Sequence, residues 1–352
     1  MTFFSSRPRG KGNARYVVLG LSLITFSSLA LLPTGYVIER PGQVFNVMGE
    51  VSGQPVISSS DLPTFESESR FDVTTVSLVG NRSSTPSWLQ VLLAWADSEQ
   101  KVLPIDEVYP EDRTAEEIRA ESTALMEISQ QDAIASALTQ LGYEVPRNLY
   151  VASVLEGTPS SKILIAGDIV VSAGGKEVSA FEQLREQIQA TGGSEIEIVV
   201  LRDGEERAFQ IVPELRDELW VIGAMISYTY TFPVDIELQL GDVGGPSGGL
   251  MFTLGILDSL TEGSLAGNHH VSGTGTISSS GEVGPIGGVE LKMVSASKSG
   301  ADLFLLPSAN CQEAIGQVPE GLAVVEVRDL AEALAAIEQL KSGTTFPALS
   351  CK

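Results

Sequence analysis

The chain has 352 residues, 43% of them hydrophobic, which is enough for two or three domains with sizeable cores. Its formal net charge is -23. This acidity argues against nucleic-acid binding, because a surface that binds phosphates must be basic.

The N-terminal segment is basic and is followed by a long uncharged stretch. Four basic residues come first: Arg7, Arg9, Lys11 and Arg15. The uncharged residues 16–38 are long enough to span a bilayer. The preceding positive charges predict that residues 1–15 stay in the cytoplasm and that the chain after Glu39 lies outside. A cleaved signal peptide, with Ser28-Leu29-Ala30 as its cleavage site, is the alternative. The sequence favours an uncleaved single-pass anchor in the cell membrane, with 16–38 in the lipid bilayer.

Residues 39–143 are predicted to form an extracytoplasmic α+β region. Residues 71–80 alternate partly at period two and end in glycine, as a strand would. Residues 86–98 and 114–142 carry apolar side chains at helical spacing. None of these segments contains a motif that carries chemistry.

Residues 144–216 are predicted to form a small β-rich module. Strands are expected over 149–155 and 196–202, with a short amphipathic helix over 181–188 between them. This order, with Gly167-Asp168 leading into a strand, resembles a bacterial PDZ domain, a small β-barrel. The resemblance implies capture of an extended peptide on a sheet edge.

The carboxylate-binding loop of PDZ domains is expected just before the first of these strands. The residues there are Arg147, Asn148 and Leu149, and they do not form a Gly-Leu-Gly-Phe-type loop. The sequence therefore leaves open whether the module binds free C-termini or internal peptides.

Residues 217–345 intermix predicted helices and strands, which makes an α+β domain, and residues 346–352 form a tail. A helix is expected over 247–260, directly after the glycine-rich turn Gly244-Gly245-Pro246-Ser247-Gly248-Gly249. A serine in such a turn is exposed, and unpaired N–H groups at the helix start can stabilise an oxyanion. The alternative is that Ser247 only caps the helix.

Lys292 is the candidate base for this serine. Successive helical residues are about 100° apart, which places Lys292 roughly 60° from Val289, at the edge of an apolar stripe. Burial lowers the pKa of a lysine and makes its neutral amine available as a general base. The alternative is a snorkelling lysine, with a buried stem and an ammonium group in water.

The histidines and cysteines offer weaker alternatives. His269 and His270 are adjacent and point to opposite faces of a strand, so at most one of them can serve a Ser-His triad. No third ligand accompanies them, and neither a metal nor a cofactor is predicted. Cys311 and Cys351 lack the paired spacing of a zinc site. Outside the cytosol they can form one disulfide that pins the tail; otherwise they are free thiols.

An ordered set of motifs in the last domain resembles the proteolytic domain of Lon proteases. The segments are 245–249 (Gly-Pro-Ser-Gly-Gly), 273–277 (Gly-Thr-Gly-Thr-Ile), 281–288 (Gly-Glu-Val-Gly-Pro-Ile-Gly-Gly), Lys292 and 304–310 (Phe-Leu-Leu-Pro-Ser-Ala-Asn). The resemblance implies that Ser247 is the nucleophile, that Lys292 is its base and that Thr274 positions the lysine. Gly245 and Gly248 then flank the oxyanion hole. Two residues depart from the common Lon pattern: Gly244 replaces an Asp and Gly248 an Ala.

With the predicted anchor and PDZ module, the whole chain resembles bacterial membrane-anchored PDZ-containing Lon-like endopeptidases. It contains no Gly-x-x-x-x-Gly-Lys-Ser/Thr loop, so the expected activity is ATP-independent cleavage of peptides or unfolded proteins. Lon-type domains commonly form rings, which leaves a homo-oligomer open. The alternative function is a PDZ scaffold whose Lon-like domain is inactive or cleaves only itself.

Overall fold

A computed structural model describes residues 16–20, 22, 30–111, 113–216, 218–239 and 244–351. Among these residues, no helix is long and apolar enough to cross a membrane, so the transmembrane helix predicted over 16–38 is wrong. Residues 1–15, 21 and 23–29 lie outside the described residues. At the end of the predicted span, Val37 and Ile38 belong to a β-strand and are buried. Their apolar character serves the core of a folded domain.

The N-terminal third combines long strands with one long helix. Its elements are β1 (Tyr36–Asn46), β2 (Glu50–Val51), β3 (Gln54–Pro55), β4 (Ile57–Ser58), β5 (Arg70–Val79), α1 (Trp88–Trp95), β6 (Lys101–Pro104), α2 (Ile105–Val108) and α3 (Ala115–Gln140). Helix α3 begins with a capping box, in which the side chains of Thr114 and Glu117 each accept a hydrogen bond from the other's backbone N–H. It ends just before Gly142, whose positive φ of 87° favours glycine.

The middle third forms the small β-rich module. Its elements are β7 (Arg147–Val154), β8 (Ile169–Ala173), β9 (Lys176–Glu177), α4 (Phe181–Ala190), β10 (Ile196–Arg202), β11 (Glu205–Ile211), β12 (Glu214–Arg216), β13 (Leu219–Val221) and β14 (Ala224–Tyr230). The main sheet has the order β11-β10-β8-β7-β14. Strand β14 belongs to this sheet although it follows residue 216, where the sequence placed the end of the module.

The C-terminal third supplies short strands and three longer helices. Its elements are β15 (Glu237–Leu238), α5 (Gly249–Ser259), β16 (His270–Gly273), β17 (Thr276–Ile277), β18 (Val283–Gly284), α6 (Val289–Ser299), β19 (Leu303–Pro307), α7 (Cys311–Ala314), β20 (Ala323–Val327) and α8 (Leu330–Lys341). Short 3₁₀ turns, Pro246–Gly248 and Ser308–Asn310, precede α5 and α7.

One mixed sheet joins the first and last thirds of the chain, in the order β20-β19-β16-β5-β1-β6. Strands β20, β19, β16 and β5 run parallel, whereas β1 pairs antiparallel with both β5 and β6. Residues 39–143 and 217–345 are predicted from the sequence as separate regions. In the structure both contribute strands to one α+β domain, and the β-rich module is inserted between them.

The core of this domain surrounds α5. This helix is buried along its whole length, because apolar residues cover every side of it. It packs between α3 and the sheet, beside β5. Phe71 of β5 and Phe252 of α5 are fully buried in this core. The start of α5, where Ser247 lies, is thereby held against rigid elements.

Cys311 and Cys351 are joined by a disulfide that closes a loop across the C-terminal region. The bond holds the C-terminal tail beside the small core around α6 and α7, where Leu349 also packs.

Candidate active site

The turn that carries Ser247 depends on its glycines. Gly245 has a φ of 86°, in the left-handed region that favours glycine. A Cβ on Gly248 would lie 2.8 Å from the buried ring of Phe252, which accounts for glycine at this position. Pro246 then opens the 3₁₀ turn, where its missing N–H is not needed. The N–H groups of Ser247 and Gly248 stand at the start of a helix, where intrahelical acceptors are lacking.

Lys292 lies in the first turns of α6 and points into the protein. Only 4% of it is exposed, so its ammonium group does not reach water as a snorkelling lysine would. Its Nζ donates a hydrogen bond to Thr274 Oγ1 at 3.0 Å. Burial lowers the pKa of Lys292 to about 8, so a substantial fraction of the amine is neutral near neutral pH.

Thr274 connects the lysine to the nucleophile turn. Its Oγ1 donates to the carbonyl oxygen of Ser247 at 3.0 Å while it accepts from Lys292. The N–H of Gly275 donates to the same carbonyl at 2.8 Å. Residues 274 and 275 directly follow β16, so the central sheet fixes the position of the Ser247 backbone.

Ser247 and Lys292 line the same cleft, which has a volume of about 390 Å³. Gly245 and Gly248, the two glycines expected to flank an oxyanion hole, line it as well. The cleft therefore brings together a hydroxyl, a buried amine with a lowered pKa, and helix-start N–H groups. These are the parts that acyl transfer by a serine nucleophile needs.

The two histidines lie elsewhere. His270 Nε2 is 2.5 Å from Asp72 Oδ2, and His269 Nδ1 is 3.3 Å from Asp302 Oδ2. Burial alone would raise the pKa of Asp72, but hydrogen bonds with His270 and Arg70 hold that pKa below its usual value. Both histidines are at the start of β16 and neither lines the Ser247 cleft. The structure therefore does not bring a histidine to Ser247.

Among the described residues, one group has the composition of a metal site: Cys311, Glu326 and Cys351. Its two sulfur atoms are joined to each other in the disulfide. A disulfide does not offer the thiolates that a metal would require.

Comparison with known families gives two matches. Residues 234–338 match the Lon protease (S16) C-terminal proteolytic domain, and residues 125–212 match the PDZ domain. The matches indicate a serine-type peptidase. Each domain match covers less than a third of the chain, and the likeness to named proteases is confined to the C-terminal domain.

The similar curated proteins are Lon proteases. Lon protease 2 of Bacillus subtilis is 34% identical over 107 residues, which are 29% of this chain and 19% of that protein. The Lon protease of Roseiflexus castenholzii is 35% identical over 89 residues, 25% of this chain and 11% of that protein. The matched part of the chain thus spans less than a fifth of the length of these relatives.

Two of the similar solved structures are PDZ domains. The PDZ domain of the SdrC-like protein from Listeria monocytogenes is 20% identical, with a TM-score of 0.21, and covers 22% of this chain and 86% of that one. The PDZ domain of the SdrC-like protein from Listeria innocua is 22% identical, with a TM-score of 0.21, and covers 22% of this chain and 92% of that one.

The PDZ-like module has an open apolar groove between α4 and β14. The groove has a volume of about 530 Å³, and apolar residues dominate its walls. Its lining includes Phe181, Leu184, Ile188, Ile222, Ala224 and Ile226. One edge of β14 pairs with β7, and no strand in the described part of the chain pairs with its other edge.

The loop of this groove was predicted just before β7, near Leu149, and that placement is wrong. Leu149 is buried in β7, between β8 and β14, so the segment before it borders no free sheet edge. The loop that enters the groove strand is instead Ile222-Gly223, after the end of the predicted module. Gly223 has a φ of 78°, and a Cβ there would lie 2.1 Å from Thr158. The available signal was this glycine within the apolar run 220–226.

Proposed function

We propose that the protein is an ATP-independent serine endopeptidase in which Ser247 is the nucleophile and Lys292 the general base. The observation that carries this proposal is the hydrogen-bonded path from the buried Lys292 through Thr274 to the Ser247 carbonyl, with Ser247 and Lys292 both lining one cleft. A lysine with a pKa of about 8 is partly neutral under physiological conditions, and the neutral amine is the form that accepts a proton.

The residues support a two-step acyl transfer. Neutral Lys292 takes the proton of the Ser247 hydroxyl as its oxygen attacks a peptide carbonyl, and N–H groups of the 246–248 turn stabilise the oxyanion. When the intermediate collapses, the C–N bond breaks, and the ammonium of Lys292 returns the proton to the leaving amine. Lys292 then activates a water molecule, which releases the acyl group and regenerates the serine. Thr274 orients the amine throughout.

Substrates are proposed to be peptides and unfolded proteins. The sequence has no Walker-type phosphate-binding loop with which to power unfolding. The unpaired edge of β14 and the apolar groove beside it suit an extended segment, which adds main-chain hydrogen bonds and places side chains against α4. The PDZ module would thereby hold a substrate while another part of it enters the Ser247 cleft.

We also propose that the catalytic domain works outside the reducing cytoplasm. The Cys311–Cys351 disulfide supports this location, because such bonds persist in oxidising compartments and are rare in the cytosol.

Replacing Ser247 with Ala tests the proposed function. The wild-type chain should cleave a fluorescently labelled unfolded protein, and a fluorophosphonate probe should phosphonylate Ser247 with loss of fluoride, as detected by mass spectrometry. Ser247→Ala should lose both signals with an unchanged circular dichroism spectrum. Ser342→Ala, at an exposed serine after α8, is the matched control and should keep both. Binding of the unfolded protein without turnover by the wild-type chain would favour a PDZ scaffold instead.

A further inference from the structure

Glu39 is the only acidic residue among the described residues that line the Ser247 cleft. It lies in β1, opposite Leu78 of β5 and Lys101 of β6. Glu39 is half-buried, and the sheet fixes its position on the wall of the cleft. A carboxylate thus lines the same cleft as the proposed nucleophile.

The carboxylate of Glu39 has no hydrogen bond or ion pair within the described part of the chain. Lys101, its cross-strand neighbour, forms its ion pair with Glu290 at 2.6 Å. Burial raises the pKa of Glu39, and the charge of Lys101 offsets this effect only in part. A buried acid elsewhere in the structure has a cationic partner: Arg202 donates two hydrogen bonds of 2.6 Å to Asp168. Glu39 is therefore a partly desolvated acid with no ion-pair partner among the described residues.

Glu39 does not act on the catalytic base. The lowered pKa of Lys292 arises from burial, and a nearby carboxylate that interacted with the amine would raise it instead. Among the described residues no cation pairs with Glu39, so its carboxylate can pair with a cationic group of a bound substrate.

The remaining walls of the cleft restrict what that group can be. These walls are largely apolar, with side chains from Val73, Val76, Met126 and Ile286, and glycines supply much of the rest. Lysine and arginine side chains combine an apolar stem with a cationic end. Such a side chain would place its stem along the apolar wall and its charge beside the Glu39 carboxylate.

We propose that Glu39 is a specificity-determining residue that selects substrates with a lysine or arginine next to the cleaved bond. This inference rests on the proposed peptidase function and names its substrate class. Glu39 adds affinity for the cationic side chain and takes no part in proton transfer.

The test compares peptides that differ only at the residue flanking the cleaved bond, which is Arg, Met or Glu. Wild-type kcat/KM should be about tenfold higher for the Arg peptide than for the Met peptide, the size of a partly desolvated ion pair. Glu39→Gln should bring this ratio close to one, and Glu39→Lys should favour the Glu peptide. Glu50→Gln, at an exposed glutamate of β2, should leave the ratio as in wild type.

Binding measurements separate this inference from the proposed chemistry. In the full-length Ser247→Ala chain, calorimetry should show about tenfold tighter binding of the Arg peptide than of the Met peptide, and Glu39→Gln should remove that difference. Equal affinities, or a preference that survives Glu39→Gln, would overturn the role of Glu39 even if wild type cleaves both peptides. A preference that depends on Glu39 in a chain that cleaves neither peptide would instead refute the proposed hydrolysis alone.

Discussion

The Ser247 cleft and the groove beside β14 are built in different ways. In the cleft, hydrogen bonds fix individual polar atoms: Lys292 Nζ to Thr274 Oγ1, and Thr274 Oγ1 to the Ser247 carbonyl. The groove is an apolar surface between α4 and a strand edge, and no strand in the part of the chain that the structure describes pairs with that edge. Catalysis needs atoms placed to a fraction of an ångström, whereas peptide capture needs a shape and an open edge.

Helix α3 contacts both the end of β14, beside the apolar groove, and the turn that carries Ser247. Tyr230, at the end of β14, donates a hydrogen bond from its hydroxyl to Asp132 Oδ1 at 2.5 Å. One turn earlier on α3, Ser129 Oγ donates to the carbonyl of Pro246 at 2.9 Å. The end of the groove strand and the nucleophile turn are therefore anchored to one rigid helix.

The largest loss of activity is expected when the proposed base, Lys292, is removed. Lys292→Met keeps the apolar stem and deletes the amine, so kcat/KM for an unfolded protein should fall by about a thousandfold or more. Lys298→Met removes an exposed lysine of the same helix, which pairs with Glu99, and should have little effect. Progress curves for the two variants measure the difference. Full activity of Lys292→Met, with loss in a variant lacking His269 and His270, would favour a Ser-His mechanism.

Removing the Thr274 hydroxyl, which orients Lys292, should lower the rate less and should change its pH dependence. Wild-type kcat/KM should rise with pH up to about 8 and then level off, because the neutral form of Lys292 is the base. Below this value the rate should fall by about tenfold for each pH unit. Thr274→Val deletes the acceptor for the lysine and should lower kcat by about ten- to a hundredfold and shift the profile.

Thr274→Ser provides the matched control for this second prediction, because it keeps the hydroxyl and should restore most of the rate and the wild-type profile. A pH profile that is flat between 6 and 10 in wild type would contradict the assignment of Lys292 as the titrating base.

The proposed catalytic residues are visible in the sequence because they occupy short, ordered motifs. The glycines around Ser247 are required by local backbone conformation, which any sequence reading can detect. The α+β class of the PDZ and Lon-type domains was predicted for a similar reason, since helical and strand periods are local. Helical phase placed Lys292 only at the edge of an apolar stripe; its burial follows from packing against the sheet, which the sequence does not display.

Two features escaped the sequence because pairing between distant segments creates them. The apolar residues Val37 and Ile38 looked like the end of a membrane span, but they lie in β1, which pairs with β5 and β6, and they are buried in the folded domain. Strand β14 looked like part of the catalytic domain, but it pairs with β7, about 75 residues earlier, and so defines the PDZ groove. Hydropathy records how apolar a segment is, and it does not record what buries the segment.

The smallest effect is expected from a change in the groove beside β14. This change tests directly whether the groove, and not the Ser247 cleft, captures the substrate. Phe181 lines the groove and is 41% exposed, so Phe181→Ala removes apolar contact area without opening the module's core. The KM for an unfolded protein should rise by about three- to tenfold, the loss expected for one interface aromatic. A short peptide that fills only the Ser247 cleft should be affected less. Leu215→Ala changes an apolar residue that is 60% exposed and lies outside the groove, and should alter neither KM. Equal losses for both substrates in Phe181→Ala would mean that the groove does not hold substrate.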